Sequence, residues 1–536
     1  MRNRTRFYVA TGVAMLLACS GNSGTGPAGT GGSGGTATGG ILVTGGNPVT
    51  GGTPLTGGAF ITGGNQTTGG CNCATGGRAE GGRPNTGGQP LTGGSTITGG
   101  APGAGGSDTG GSAQGGSASG GSLATGGTKP DAGPSDTAAT GGTTKMDGAL
   151  ATGGSSNPGT NHWVGTWSAS PYVDSNSSNT PPIALANSVV RQVTHVSLGG
   201  SQLRVQFSNL HGNGALTIKS AHIAICKASP LVDSTIDTAT DKALVFSGTE
   251  SVTIAQGKEV WSDPIDFTVA NQGNVTITTA FGSVPSTLTQ HSGSRTTSYF
   301  QSGGTDVSAA SMTSAQKKEL WFFISGIDVM ADASAVSAVA IGDSITDGRG
   351  VDVSKNNRWT DVLAARLQAN PATKNVAMLN QGIGATNLVG SSGTAAQARY
   401  SRDVLGQSGV KYAIIYDGVN DIGGGASFAS MKTAYDDLIK RGHDKGLLVF
   451  GATILPFNGN SYYSDSHESV RQQVNTYIRS GVFDGVIDFD KALTDGGNPP
   501  KLKAEYAAWS QQDWLHPGPA GYQKMGETPD LTLFTK

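Results

Sequence analysis

In the C-terminal part of the chain, short apolar runs alternate with stretches that are apolar at helical spacing. Val336–Ile341, Val376–Leu379, Tyr412–Tyr416 and Leu447–Leu455 carry no charge and read as strands. Arg358–Leu367 places Val362, Leu363 and Leu367 on one helical face; Met431–Ile439 and Val470–Ile478 read as further helices. Gly521–Met525 starts a last short one. Strands separated by helices argue for βαβ units and a parallel sheet over 331–536. The pattern upstream differs. Leu203, Val205 and Phe207 alternate with Arg204 and Gln206, Val275–Ala280 alternates too, and Asp263-Pro264 and Gly212-Asn213-Gly214 punctuate the runs. Period-two strands between turn signals predict a β-sandwich-like domain over 161–330.

Composition changes the picture for the remainder. Glycine makes up 86 of 536 residues, and most of it falls in 20–160, where Thr-Gly-Gly recurs irregularly. That stretch has too little apolar surface to offset ordering entropy and predicts a disordered linker. Some 140 flexible residues would span roughly 65 Å root-mean-square. The irregular spacing excludes a collagen repeat. Residues 1–19 read as a targeting segment: Arg2, Arg4 and Arg6 precede an apolar stretch, Tyr8–Ala18, too short to span a bilayer. Its end, Leu16-Leu17-Ala18-Cys19, resembles a bacterial lipoprotein lipobox, which implies cleavage before Cys19 and lipidation of its thiol. An ordinary secretory signal with an incidental cysteine is the other reading. The first places the protein at the cell surface, touching a membrane by its lipid anchor only; the second has it secreted. Net charge is −2 with both signs interspersed, which argues against a nucleic-acid partner.

The first candidate for chemistry is Ser344. The strand Val336–Ile341 breaks at Gly342-Asp343-Ser344, and the crevice beyond strand C-termini is where open α/β sheets bind ligands. By itself Ser344 reads as a turn serine. Far downstream, Asp513-Trp514-Leu515-His516-Pro517 offers a carboxylate and an imidazole three residues apart. A serine hydroxyl needs a neutral imidazole to take its proton, and a carboxylate to fix the tautomer. Asp488 and Asp490 compete with Asp513 for that role. Gly418-Val419-Asn420-Asp421 follows the Tyr412–Tyr416 strand, and an amide there can donate to a developing oxyanion. The bland reading of Asn420 is a cap.

Four blocks in this order resemble the SGNH hydrolases, the GDSL esterase/lipase superfamily: Gly342-Asp343-Ser344-Ile345-Thr346, Asn380-Gln381-Gly382-Ile383-Gly384, Gly418-Val419-Asn420-Asp421 and Asp513-Trp514-Leu515-His516-Pro517. The resemblance implies a three-layer flavodoxin-like α/β fold and ester hydrolysis without a metal or other cofactor. By it Ser344 is the nucleophile, His516 the base and Asp513 its orienter, with Ser344 N–H, Ala385 and Asn420 lining the oxyanion hole. The family usually has glycine where Ala385 stands, so Ala385 or Gly384 supplies the backbone donor. Trp163–Trp167, Val190–Gln192 and Thr296–Tyr299 resemble the N-terminal β-domain of some secreted acetylxylan-type esterases. The partner this implies is an ester of acylated carbohydrate or, second, lipid. An inactive binding protein and a peptidase are the readings from other classes.

The other residues read as structural. Asp343 and Asp421 bond backbone N–H groups at two turns, and Thr346 and Asp347 cap the next segment. His195, His211, His222, His291, His443 and His467 form no ligand set. With Cys19 lipidated, Cys71, Cys73 and Cys226 remain, an odd number; Cys226 reads as a buried thiol in a strand. Trp509 and Trp514 could stack on substrate.

Overall fold

The computed structural model describes residues 160–227 and 233–536, which pack as one compact unit. The expectations for Cys19, Cys71, Cys73, the targeting segment and nearly all of the linker lie outside the described residues.

The upstream part is antiparallel. One sheet runs His162–Ser168, Ile324–Ala331, Gly200–Ser208, Glu259–Trp261, with Ile265–Val269 also on the third. A second sheet is built around Ser298–Ser302, Ser188–His195, Asn274–Phe281 and Leu216–Ile225. The predicted alternation is realised: Leu203, Val205 and Phe207 face a core shared with Val190, Ile277 and Ile223 of the second sheet. Burying such apolar faces is the main force that closes the two sheets on each other. Cys226 is half-buried, just beyond the strand rather than within it, bridging Ile236.

The downstream part is a five-stranded parallel sheet. Its strands are β1 (Val336–Gly342), β2 (Val376–Gly382), β3 (Val410–Tyr416), β4 (Leu448–Ala452) and β5 (Gly485–Ile487). The order is β2-β1-β3-β4-β5, every pair parallel. The chain steps outward from β1 to β2, then crosses back to β3. The direction of winding therefore reverses at β1, and that is the place where such sheets open a crevice at their carboxyl ends.

Eight helices complete this part among the described residues: α1 (Ser344–Asp347), α2 (Trp359–Ala369), α3 (Ala396–Tyr400), α4 (Val419–Gly423), α5 (Phe428–Asp444), α6 (Asp465–Arg479), α7 (Phe489–Leu493) and α8 (Pro519–Glu527). α2 packs on β2 and against α8, while α5 packs on β4 and against α6. α5 and α6 start earlier than their apolar periodicity suggests, because Ser427 and Ser464 cap polar first turns. β4 ends at Ala452, three residues short of the apolar run, where the Ile454 N–H leaves the sheet to donate to Asn475 Oδ1.

The two parts share backbone contacts. Gly165 N–H donates to Ser408 O at 2.9 Å, and Met378 N–H on β2 donates to Ser197 Oγ at 3.0 Å.

Candidate active site

Ser344 is the first residue of α1, directly beyond β1. Two glycines let α1 sit that close to the sheet. A Cβ on Gly342 would lie 2.2 Å from Tyr416 O, and one on Gly382 would lie 2.2 Å from Asp347 N. Asp343 caps α1 by accepting from Ile345 N–H at 2.8 Å, as a residue before a helix should. Burial, with Asp421 nearby, pushes the Asp343 carboxyl up to about 7. Beneath the turn, buried Arg399 donates to Gly342 O at 2.9 Å and to Gln381 O at 2.5 Å, joining the ends of β1 and β2.

The loop before α8 brings His516 and Asp513. His516 Nε2 lies 2.7 Å from Ser344 Oγ, and His516 Nδ1 lies 2.7 Å from Asp513 Oδ2. Asp513 Oδ1 accepts from the backbone N–H of Leu515 at 3.1 Å and of His516 at 2.9 Å. These bonds come from the i, i+3 spacing alone. Burial would raise the Asp513 carboxyl, but the His516 ring and backbone donors outweigh it and hold it near about 2. Burial lowers the His516 imidazole below its ordinary value, an effect the Asp513 carboxylate offsets only in part. The ring is thus neutral at pH 7, with its Nδ1–H on the carboxylate and its Nε2 lone pair toward the serine. Asp488 and Asp490 are engaged elsewhere: Arg479 holds both, and Arg471 holds Asp490 at 2.6 Å.

Asn420 lies in the first turn of α4. Its Nδ2 donates to Thr386 O at 2.7 Å, and its Oδ1 accepts from the Tyr462 hydroxyl at 3.1 Å. Thr386 closes the turn that follows β2, with Ala385 inside it at φ +61°, a left-handed conformation usually left to glycine. Asp421 holds the segment after that turn, accepting from the N–H groups of Leu388 at 2.7 Å and Val389 at 3.0 Å. The expectation that Asp343 and Asp421 serve backbone turns is met.

Residues 340–524 match the model of the GDSL-like lipase/acylhydrolase family. This part of the chain is a GDSL-like lipase/acylhydrolase domain. No curated protein matches the chain. Among solved structures, an acetylxylan esterase from Geobacillus stearothermophilus is 20% identical, covering 38% of this chain and 95% of its own, with a TM-score of 0.30. A GDSL-like lipase from Bacteroides thetaiotaomicron is 16% identical, covering 37% of this chain and 87% of its own, at 0.28. A member of the lipolytic G-D-S-L family from Veillonella parvula is 19% identical, covering 38% and 100%, at 0.27.

The GDSL-like domain does not hold its serine helix unaided. Asp347, expected to be a cap, is the buried last residue of α1. Its carboxylate pairs with His291 Nε2 at 3.0 Å and Arg295 Nη2 at 2.7 Å, both from the antiparallel part. Burial would raise this carboxyl; Arg295 and His291 outweigh that and hold it low. A Cβ on Gly293 would lie 2.0 Å from both carboxylate oxygens, so the loop can approach only with glycine there. Arg358, at the start of α2, donates to Asp347 O at 2.9 Å and to Ser294 O at 2.6 Å. His291 carries no sequence signal that would single it out. A charged residue three positions after the serine, Asp347, was the available clue.

Trp509 meets the His516 ring edge-on, with centroids 6.2 Å apart. Trp514 is half-buried, with Lys501 Nζ 3.3 Å from its ring centroid and Gly459 packed against the ring.

Proposed function

We propose that this domain is a serine esterase working through an acyl-enzyme on Ser344. The observation that carries the reading is the run of two 2.7 Å contacts from Ser344 Oγ through His516 to Asp513. In the first half-reaction Ser344 Oγ attacks the ester carbonyl carbon while its proton passes to His516 Nε2. Asp513 stabilises the imidazolium that forms. The carbonyl oxygen becomes an oxyanion, held by the N–H groups of Ser344 and Ala385 and by Asn420 Nδ2. Collapse expels the alcohol, which takes the proton from His516. Water, deprotonated by the same imidazole, then attacks the acyl-enzyme, releasing the acid and restoring the serine.

The substrate class we favour is short-chain acyl esters, acetyl groups on carbohydrate first. Ser344 and His516 are only 7% and 6% exposed, which suits a small acyl group. The large apolar side chains exposed among the described residues are Val173, Val353 and Val482, too few for an apolar platform on a lipid surface. Trp509 offers a ring beside the base. As part of the same reading, the protein is a surface lipoprotein anchored through Cys19. Loss of palmitate labelling in Cys19→Ser tests the anchor.

A fluorophosphonate probe tests the chemistry. It should modify Ser344 in the parent protein and leave Ser344→Ala unlabelled. An inert parent would favour a carbohydrate-binding protein instead. Turnover of p-nitrophenyl acetate without peptide cleavage sets a peptidase aside, and an acyl-length series beside acetylated xylan ranks the substrates.

A further inference from the structure

We infer that Tyr462 is a positioning residue of the oxyanion hole, acting through Asn420. This rests on the reading of Asn420 Nδ2 as an oxyanion donor. A side-chain amide has two N–H bonds and one carbonyl oxygen, and rotation by half a turn exchanges them. Here both edges are specified. Thr386 O accepts one Nδ2 hydrogen at 2.7 Å, and the Tyr462 hydroxyl donates to Oδ1 at 3.1 Å. With Oδ1 occupied and one hydrogen committed, the second Nδ2 hydrogen has a single fixed direction. Without the phenol, Oδ1 loses its donor and the amide its restraint on that side.

The tyrosine is itself placed with care. Its ring lies on Gly423 of α4, where a Cβ would come within 2.3 Å of ring carbon Cδ2. Its backbone N–H donates to Asn460 Oδ1 at 2.9 Å, and its carbonyl oxygen meets His467 Nδ1 at 2.7 Å. Asn460 in turn donates through Nδ2 to Asp513 O at 2.8 Å. One loop between β4 and α6 therefore touches both the amide of Asn420 and the backbone of Asp513, the residue whose carboxylate meets His516. Donors that are already aimed stabilise a transition state because nothing must reorganise when charge develops. Tyr462 touches no reacting atom in this account.

The test is a double-mutant cycle with p-nitrophenyl acetate on the full chain. Asn420→Ala should cost about 10²–10³-fold in kcat, as the loss of one oxyanion donor does elsewhere. Tyr462→Phe should cost about tenfold in kcat with KM within about twofold, because the interaction matters only in the transition state. Its Tm should stay within about 2 °C of the parent. In the Asn420→Ala background, Tyr462→Phe should change kcat less than about twofold, since its target is gone. A boronic acid, whose tetrahedral adduct mimics the oxyanion, should lose affinity for Tyr462→Phe in step with kcat/KM. A parental kcat in Tyr462→Phe, or the same loss in both backgrounds, overturns the role of Tyr462 alone. A parental kcat in Asn420→Ala removes the oxyanion reading beneath it, and the inference with it.

Discussion

The two sides of the site are held by different means. Ser344 sits where three strand ends, two glycines and a buried carboxylate converge, and the Arg295 and His291 side chains that hold that carboxylate come from the antiparallel part. His516 and Asp513 sit in an irregular loop whose key bonds span three residues, with the Asp513 side chain about a quarter exposed. Ser344 thus depends on distant parts of the fold, whereas the His516–Asp513 pair is nearly a local motif placed against it. The difference separates stability from chemistry. Damage behind the serine should be felt first as loss of folding free energy. Damage in the histidine loop should be felt first in the rate.

The largest effect is expected on the loop side. Asp513→Asn should lower kcat by about 10²-fold or more while leaving the fold intact, because the tautomer and the imidazolium lose their partner. Its pH profile carries a sign. In the proposed mechanism activity requires neutral His516, so in the parent kcat/KM should rise through a limb below the ordinary imidazole value of about 6.5. The Asp513 carboxylate holds the His516 value up against burial, so removing its charge should move that limb to lower pH. A limb that stays in place would mean that the carboxylate does not govern the ring.

Behind the serine, Arg295→Met should destabilise the protein by about 3 kcal/mol in urea unfolding, since the buried Asp347 carboxylate loses its guanidinium partner. Folded Arg295→Met should keep most of its kcat at low temperature. If its rate collapses while its stability holds, the contrast between the two sides fails. The smallest effect concerns the turn after β2. Ala385→Gly should stabilise by about 0.5–1 kcal/mol, because glycine accepts the left-handed φ that alanine occupies under strain. Its kcat should change little, as the backbone N–H is retained.

Much of this was legible in the sequence. The parallel strands could be read because uncharged apolar runs have one good explanation, and the Asp513–His516 pair because its geometry follows from three-residue spacing. Ser344 could be read because the apolar run stops at a glycine. Other features left no local trace. Asp347 looked like a cap because its partners lie in the antiparallel part, His291 in a two-residue strand and Arg295 in the loop after it, and nothing in the local chain announces a long-range ion pair. Tyr462 follows an apolar strand as one of two adjacent tyrosines, and only folding shows which of them reaches Asn420. The positive φ at Ala385 was invisible because alanine does not advertise it as glycine would.

The span between the two reacting side chains has a temporal side. A growing polypeptide emerges from its amino end, and upstream regions generally fold first. His291 and Arg295 are therefore already made when Asp347 appears, so the helix bearing the hydroxyl can dock on a finished surface. The imidazole follows 172 residues after Ser344. A nascent chain that has not yet reached His516 carries the Ser344 hydroxyl without its imidazole partner.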